Sequence, residues 1–244
     1  MSNKLVRRGY VPSDLKEFSD ESMKKLKEAQ KDIFMLVNRG YDIKKASTFV
    51  GNHYLLSERQ RMALTRAISC ENAIDIRKKK EIKGILEGKT VYIDGFNIII
   101  TLEVAISKST IMKCMDGTVR DLAGLRGTYK LIDKTDIAIK LIGDKLQQLK
   151  VNKAVFYLDS PVSNSGRLKM RMLELLSTYS FDVEVELVNN ADVVLEKLDN
   201  VITSDAIILD KCESWINLGY SIITDDICDF VCLDFEGLRW FIYF

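Results

Sequence analysis

The chain has a single histidine, His53, in 244 residues. A Ser-His-Asp or Cys-His nucleophilic centre would have to draw on that one imidazole, which stands far along the chain from every strand-like segment. Packing, or contact between regions, is the expected role of His53. Long apolar runs are also missing: the best candidate, Ile98 to Ile106, carries Thr101 and Glu103 and falls short of the roughly 18 residues a membrane helix needs. The opening Met1 to Arg8 lacks the apolar core of a secretory signal, which predicts a chain that is not exported. Five cysteines (Cys70, Cys114, Cys212, Cys228, Cys232) form neither a C-x-x-C motif nor an even-numbered framework, so reduced thiols in the cytoplasm are expected. Cys228 and Cys232, four residues apart, are expected as buried small hydrophobes rather than zinc ligands, because no second Cys/His pair accompanies them. No Walker A sequence, internal repeat or low-complexity tract is present. Trp215, Trp240, Phe241 and Tyr243 lie in apolar contexts that predict core positions, not a platform for stacking bases.

What is present is an ordinary globular composition, 47% hydrophobic, with an uneven charge distribution. Residues 1–90 hold 20 Lys+Arg against 12 Asp+Glu, whereas residues 91–244 hold 16 against 23. A basic region beside an acidic one suggests a polyanion-contacting part joined to a cation-binding part; unevenly charged helix surfaces would give the same count. Leu15, Phe18, Met23, Leu26, Ile33, Phe34 and Val37 predict one amphipathic helix from 14 to about 39, ended by Gly40. Asp42 caps a second helix through Val50, broken at Gly51-Asn52. Ser57 caps a third to about Ser69, with Gln60 at the capping-box position. The expectation is a small basic all-α domain over residues 1–85. Its third helix offers Arg59, Arg61 and Arg66 to phosphates, or merely packs with a charged surface. Arg77-Lys78-Lys79-Lys80 is read as a basic joining segment.

From Thr90 onward short apolar runs alternate with helical stretches. Strands are expected at 91–94, 153–158, 182–188, 201–204 and 220–224, with helices near 134–150, 166–180, 191–199 and 206–217. That alternation predicts an α/β domain over residues 86–244, a mainly parallel sheet flanked by helices. Lys108 to Lys130 departs from it, and Met115-Asp116-Gly117-Thr118 predicts a hairpin there. Arg120 and Arg126 in this insert would clamp RNA, or pair with Asp116 and Asp121.

Four aspartates recur at strand ends or helix starts: Asp94 after Val91-Tyr92-Ile93, Asp159 after Phe156-Tyr157-Leu158, Asp192 after Asn190-Ala191, and Asp205 after Thr203-Ser204. In a parallel sheet such positions share the carboxyl edge, where open α/β sheets bind ligands. Clustered carboxylates there suit Mg²⁺ or Mn²⁺, which favour hard oxygen ligands and serve phosphodiester cleavage. Asn97 would orient Asp94 or bond a phosphate. Each aspartate also has a structural reading, as a helix cap for Asp159 and Asp205, a dipole partner for Asp192, or a turn for Asp94-Gly95. Asp210, Asp225 and Asp226 are further candidates, Asp225 by its place at the end of the strand expected at 220–224. Gly166 with Arg167 and Lys169, at the start of a helix, would cradle a phosphate or simply begin that helix.

Asp94-Gly95-Phe96-Asn97, Leu158-Asp159, Ala191-Asp192 with Leu195-Glu196-Lys197-Leu198, and Thr203-Ser204-Asp205 together resemble the motif series of the PIN-like nucleases, closest to the NYN type. Phe96 stands where that type usually has tyrosine. With Gly51-Asn52-His53-Tyr54 and Arg59-Gln60-Arg61 in front, the whole chain resembles an archaeal family that joins a small helical domain to a PIN-like one. The resemblance implies a PIN-like, Rossmannoid fold and a metal-dependent ribonuclease. In that scheme Asp94, Asp159, Asp192 and Asp205 hold Mg²⁺ or Mn²⁺ and, with Asn97, form the catalytic set. RNA would be the partner, met by Arg59, Arg61, Arg66, Arg120, Arg126 and Arg167. A non-catalytic RNA-binding or scaffold protein, a small-molecule phosphatase and a homo-oligomer all stay open.

Overall fold

The computed structural model describes residues 6–124 and 127–236. Arg126, Trp240, Phe241 and Tyr243 lie outside them. The helical region begins with α1 (Asp14–Glu17), α2 (Asp20–Asn38), α3 (Ile43–His53), α4 (Glu58–Ala67) and α5 (Glu71–Lys80). The helix expected from 14 to 39 is split at Ser19, whose hydroxyl accepts from the Ser22 N–H and starts α2 afresh. Asp42 caps α3 as expected, but α3 runs through Gly51-Asn52 to His53. Gly51 packs where a Cβ would lie 2.8 Å from Arg61 Nε, so that glycine serves α3–α4 contact instead of ending the helix. Ser57 and Gln60 form the full capping box of α4; such a cap contributes about 1 kcal/mol. The segment holding residues 77–80 is the last turn of α5, not a joining loop.

The α/β part follows as β1 (Thr90–Asp94), α6 (Gly95–Ile106), β2 (Thr110–Lys113), β3 (Val119–Asp121), α7 (Asp133–Gln148), β4 (Lys153–Asp159), α8 (Ser165–Leu176), β5 (Asp182–Val188), α9 (Ala191–Leu195), β6 (Val201–Ile202), α10 (Ala206–Lys211), α11 (Leu218–Asp226) and β7 (Val231–Asp234). One sheet has the order β5-β4-β1-β6 with every pair parallel. The chain leaves β1 towards one edge through β4 and β5, then crosses back to β6 on the other side. The four carboxyl ends therefore share one edge. Period-two alternation sends Val91 and Ile93 into the main core with Phe156 and Leu158, while Tyr92 and Tyr157 turn to the opposite face against Trp215, Ile208 and Leu209.

Two elements run against local pattern. Ile98-Ile99-Ile100-Thr101 is β-branched and has no amphipathic period, yet it lies in α6, nearly all of which is buried. Residues 220–224, expected as a strand, belong to helix α11, whose Ile222 and Ile223 are buried in the same core. In both, tertiary burial overrides a modest intrinsic preference. The hairpin at Met115–Thr118 is as expected, with β2 and β3 antiparallel and Gly117 at φ +84°. β7 then adds to β2 in parallel and completes a second, three-stranded sheet. Met112 and Leu233 from this sheet, with Cys114, Leu122 and Phe235 directly after its strands, share one core with Leu26, Ile33, Leu64 and Ile74 of the helical region. Among the described residues no helix is long and apolar enough to cross a membrane.

Gly95, the first residue of α6, allows that helix to start hard against β4. A Cβ there would stand 2.6 Å from Leu158 Cδ2 and 3.2 Å from the Tyr157 carbonyl oxygen. Gly95→Ala is expected to lose about 1–3 kcal/mol through overpacking, despite alanine's better helix propensity. A urea titration checks it: the midpoint falls while the slope stays the same.

Candidate metal and phosphate site

The strand ends bring the aspartates of β1, β4 and the β6–α10 turn into one electrostatic group with Asp192 of α9. Asp94 is only 7% exposed. Its carboxylate accepts from Thr203 Oγ1 at 2.9 Å and from the Asn97 N–H at 3.4 Å, capping α6 while it faces the site. Burial, with the neighbouring charges of Asp192 and Asp205, pushes the Asp94 carboxyl up to about 7 against the pull of those two hydrogen bonds. Asp192 is also raised, by burial first and then by Asp205 and Asp159. One Asp159 oxygen accepts from the Ala191 N–H at 2.9 Å and so orients the start of α9. One Asp205 oxygen caps α10 through Ile207 at 2.7 Å. At Asp159 and Asp205 the structural and functional readings coexist, because one carboxylate oxygen serves the backbone and the other remains available, whereas both oxygens of Asp94 are engaged.

Asn97 does not touch Asp94 with its side chain. Its Oδ1 accepts from the Ser204 N–H at 2.9 Å and Oγ at 3.0 Å, so it fixes the turn that carries Asp205. Thr203 Oγ1 donates to Asp94 and accepts from the Asp205 N–H at 3.1 Å, linking the Asp94 carboxylate to the Asp205 backbone. Beside this turn opens a cleft of about 360 Å³, with Asn97, Ser204 and Asp205 on one wall and Thr65, Arg66 and Ser69 on the other.

The donor set suits a hard divalent ion by its charge. Among the described residues none of the four aspartates is in an ion pair. Neither oxygen of Asp192, nor the second oxygens of Asp159 and Asp205, has a hydrogen-bond partner there. No three His, Cys, Asp or Glu side chains among the described residues converge as a ready-made ligand cage. Magnesium does not require one: it commonly takes one or two carboxylates and keeps water and substrate phosphate in its other positions.

The remaining candidates sit elsewhere. Asp210 pairs with Arg77, and Asp225 and Asp226 of α11 pair with Lys145 of α7, so none joins the group. Arg120 is buried and pairs with Asp116 at 2.5 Å, as one of its two sequence readings expected. Its Nε donates to the Ser204 carbonyl at 2.6 Å, which makes it a positioning residue for the Asp205 turn at the edge of the cleft. Arg59 is bound to Asp14 and the Leu122 carbonyl, and is likewise committed to the fold. Arg167 is exposed at the start of α8, beside Gly166, in a separate shallow depression. His53 is exposed at the end of α3, edge-on to Tyr54. Cys228 and Cys232 are exposed, Cys228 in a loop and Cys232 in β7, so neither is the buried small hydrophobe expected; all five cysteines are free. Asp116 is the residue of consequence whose weight the sequence concealed, since Asp-Gly reads only as a hairpin turn.

Two family models match the chain, one described as Domain of unknown function (DUF5616) over residues 83–221 and one as Protein of unknown function (DUF434) over residues 25–80. Among curated proteins, Uncharacterized protein MJ0935 of Methanocaldococcus jannaschii is 39% identical over 186 residues, covering 75% of this chain and 88% of that one. No solved structure matches the chain.

Proposed function

The chain belongs to the DUF5616 family, and we propose that it is a metal-dependent ribonuclease acting from the carboxyl edge of its parallel sheet. One observation carries this reading: four aspartates without counter-cations are held on one edge, and the most buried of them is pushed up to about 7. Folding would not gather such mutually repelling groups for stability, whereas a cation site needs them. Asp192 and Asp205, with unengaged oxygens, would hold Mg²⁺ or Mn²⁺ directly or through water, with Asp94 and Asp159 behind them. A divalent ion bound there would supply positive charge against the phosphate and lower the pKa of an attacking water. Asn97, Thr203 and Arg120 keep the Asp205 turn in place. The resemblance to PIN-like nucleases selects RNA as the polyanion, and five free thiols fit a cytoplasmic setting.

Purified protein incubated with single-stranded and structured RNAs tests the reading. Cleavage should need Mg²⁺ or Mn²⁺ and stop with EDTA; cleavage that survives both EDTA and Asp205→Asn would falsify it. The absence of a preassembled ligand cage among the described residues favours, as second reading, an RNA-binding protein without hydrolysis, which predicts binding with no cleavage under any ion.

Metal binding has its own signature. At an ion concentration about 100 times the Kd, Mn²⁺ should stabilise the protein by roughly 2.7 kcal/mol. Differential scanning fluorimetry at pH 8 should show a higher Tm with Mn²⁺ for the wild type and no rise for Asp192→Asn combined with Asp205→Asn.

A further inference from the structure

The cleft beside Asp205 has a far wall made by the helical region. Arg66 of α4 lines it with a side chain 39% exposed. Its Nη1 donates to the Asp121 carbonyl at 2.6 Å and lies 3.8 Å from the Asp121 carboxylate, a partly exposed ion pair, while Nε and Nη2 have no hydrogen-bond partner among the described residues. On the other side of Thr65 lies a second, more open depression of about 530 Å³ between α3 and α4, whose lining includes Lys44, Arg61 and Glu58. Thr65 lines both, so the two hollows meet over α4. Arg61 donates to neutral acceptors only, the Leu56 and Thr48 carbonyls and Asn52 Oδ1, so its charge is held in place and not cancelled. Lys44 is exposed and has no partner among the described residues.

We infer that a single RNA strand reaching the aspartates lies across α4, with Arg66 holding the phosphate nearest the acidic edge and Arg61 and Lys44 holding phosphates further along the same strand. Only the identity of the polyanion rests on the nuclease reading. The physical need is plain: the aspartates repel phosphate, so the strand must be anchored by cations immediately outside them. Part of the basic excess of residues 1–90 lies along this track, while Arg59 and Arg77, consumed by Asp14 and Asp116, hold the track's frame. Stacking on exposed aromatics plays no part, since the track is lined by Thr65, Ser47 and Thr48 between its charges.

The test compares a dinucleotide with a 2′-O-methyl RNA of roughly ten nucleotides, long enough to fill a strand-tracking groove. Binding is followed by fluorescence anisotropy in EDTA over a range of salt concentrations. For Lys44→Glu, the longer RNA should bind several-fold more weakly, with a salt slope smaller by about 0.7 per lost phosphate contact, while the dinucleotide is unaffected. Arg66→Gln should weaken both. Lys44 is fully at the surface, so its variant leaves the fold intact, and an unchanged Tm verifies that. Unchanged affinity and slope for Lys44→Glu on the longer RNA, or an equal loss on both ligands, overturns the track. Binding that follows the predicted pattern without any metal-dependent cleavage sustains the track and removes the nuclease reading. Cleavage by a wild type whose RNA affinity ignores Lys44 and Arg66 does the reverse.

Discussion

Asp94→Asn should abolish metal-dependent cleavage and at the same time make the protein more stable at pH 8. The loss of activity follows from removing a fixed charge at the edge where the ion and phosphate meet. Losing one preorganised electrostatic contact costs on the order of 10²–10³ in kcat. The gain in stability follows from linkage. In the folded protein Asp94 titrates at about 7, above its ordinary 3.8. A carboxyl raised on folding leaves no penalty below about pH 4, where folded and unfolded chains are both protonated. Between about 4 and 7 the unfolded chain ionises first, so the folded state loses ground, and above 7 the penalty is constant. At roughly 1.4 kcal/mol per pKa unit, that penalty is on the order of 2–4 kcal/mol. Urea unfolding of wild type and Asp94→Asn should therefore coincide near pH 4 and separate by pH 8, with the variant the more stable. A variant that is less stable at pH 8 would show that Asp94 is a structural cap first. An increase in stability joined to a loss of cleavage is the mark of a functional site held against its own repulsion.

Asp116→Asn should have the opposite sign and comparable size, a loss of about 3–5 kcal/mol, because it strands buried guanidiniums without their counter-charge. Arg77 Nη1 lies 2.6 Å and Arg120 Nη2 2.5 Å from the same Asp116 oxygen, and the other oxygen accepts from Thr118 Oγ1 at 2.6 Å. Burial alone would raise this carboxyl, but Arg120, Thr118 and Arg77 outweigh it and hold Asp116 at about 2. Its contribution is thus complete above about pH 4 and is lost as pH falls through 2, so neutral pH is where the substitution costs most. The network extends from Arg120 to the Ser204 carbonyl and the Arg66 carbonyl, and from Arg77 to Asp210 and the Ala206 carbonyl. The same variant should therefore lower cleavage even below its melting temperature, by loosening the Asp205 turn. Chemical denaturation at pH 7 measures the first effect. Loss of less than about 1 kcal/mol would mean that water reaches and solvates the pair.

Much of this architecture was legible from local signals. Strand ends at Asp94 and Asp159, the Ser57–Gln60 capping box and the Asp116-Gly117 turn are decided by residues close in sequence, and all stand where those signals put them. α6 and α11 were not legible. Ile98 to Thr101 and Ser221 to Thr224 carry β-branched side chains whose intrinsic preference is worth a few tenths of a kcal/mol per residue, less than burial in the main core contributes. The two readings of Arg120 differ for a similar reason: whether an arginine meets RNA or an aspartate depends on what the fold places beside it.

The order of strand and aspartate along the chain determined by itself that several carboxylates would share one sheet edge, because parallel strands joined by helices put all their carboxyl ends on the same side. The basic excess of residues 1–90 was likewise a property of composition alone. Only the tertiary structure decided which of those charges remain available. Close packing of the helical region against the second sheet buries Arg59, Arg77 and Arg120 with Asp14 and Asp116, since a charge taken from water must find its partner. Arg66 reaches the cleft beside Asp205, and Arg61 of α4 with Lys44 of α3 line the open depression on the other side of Thr65, a placement set by contacts between residues far apart in the chain.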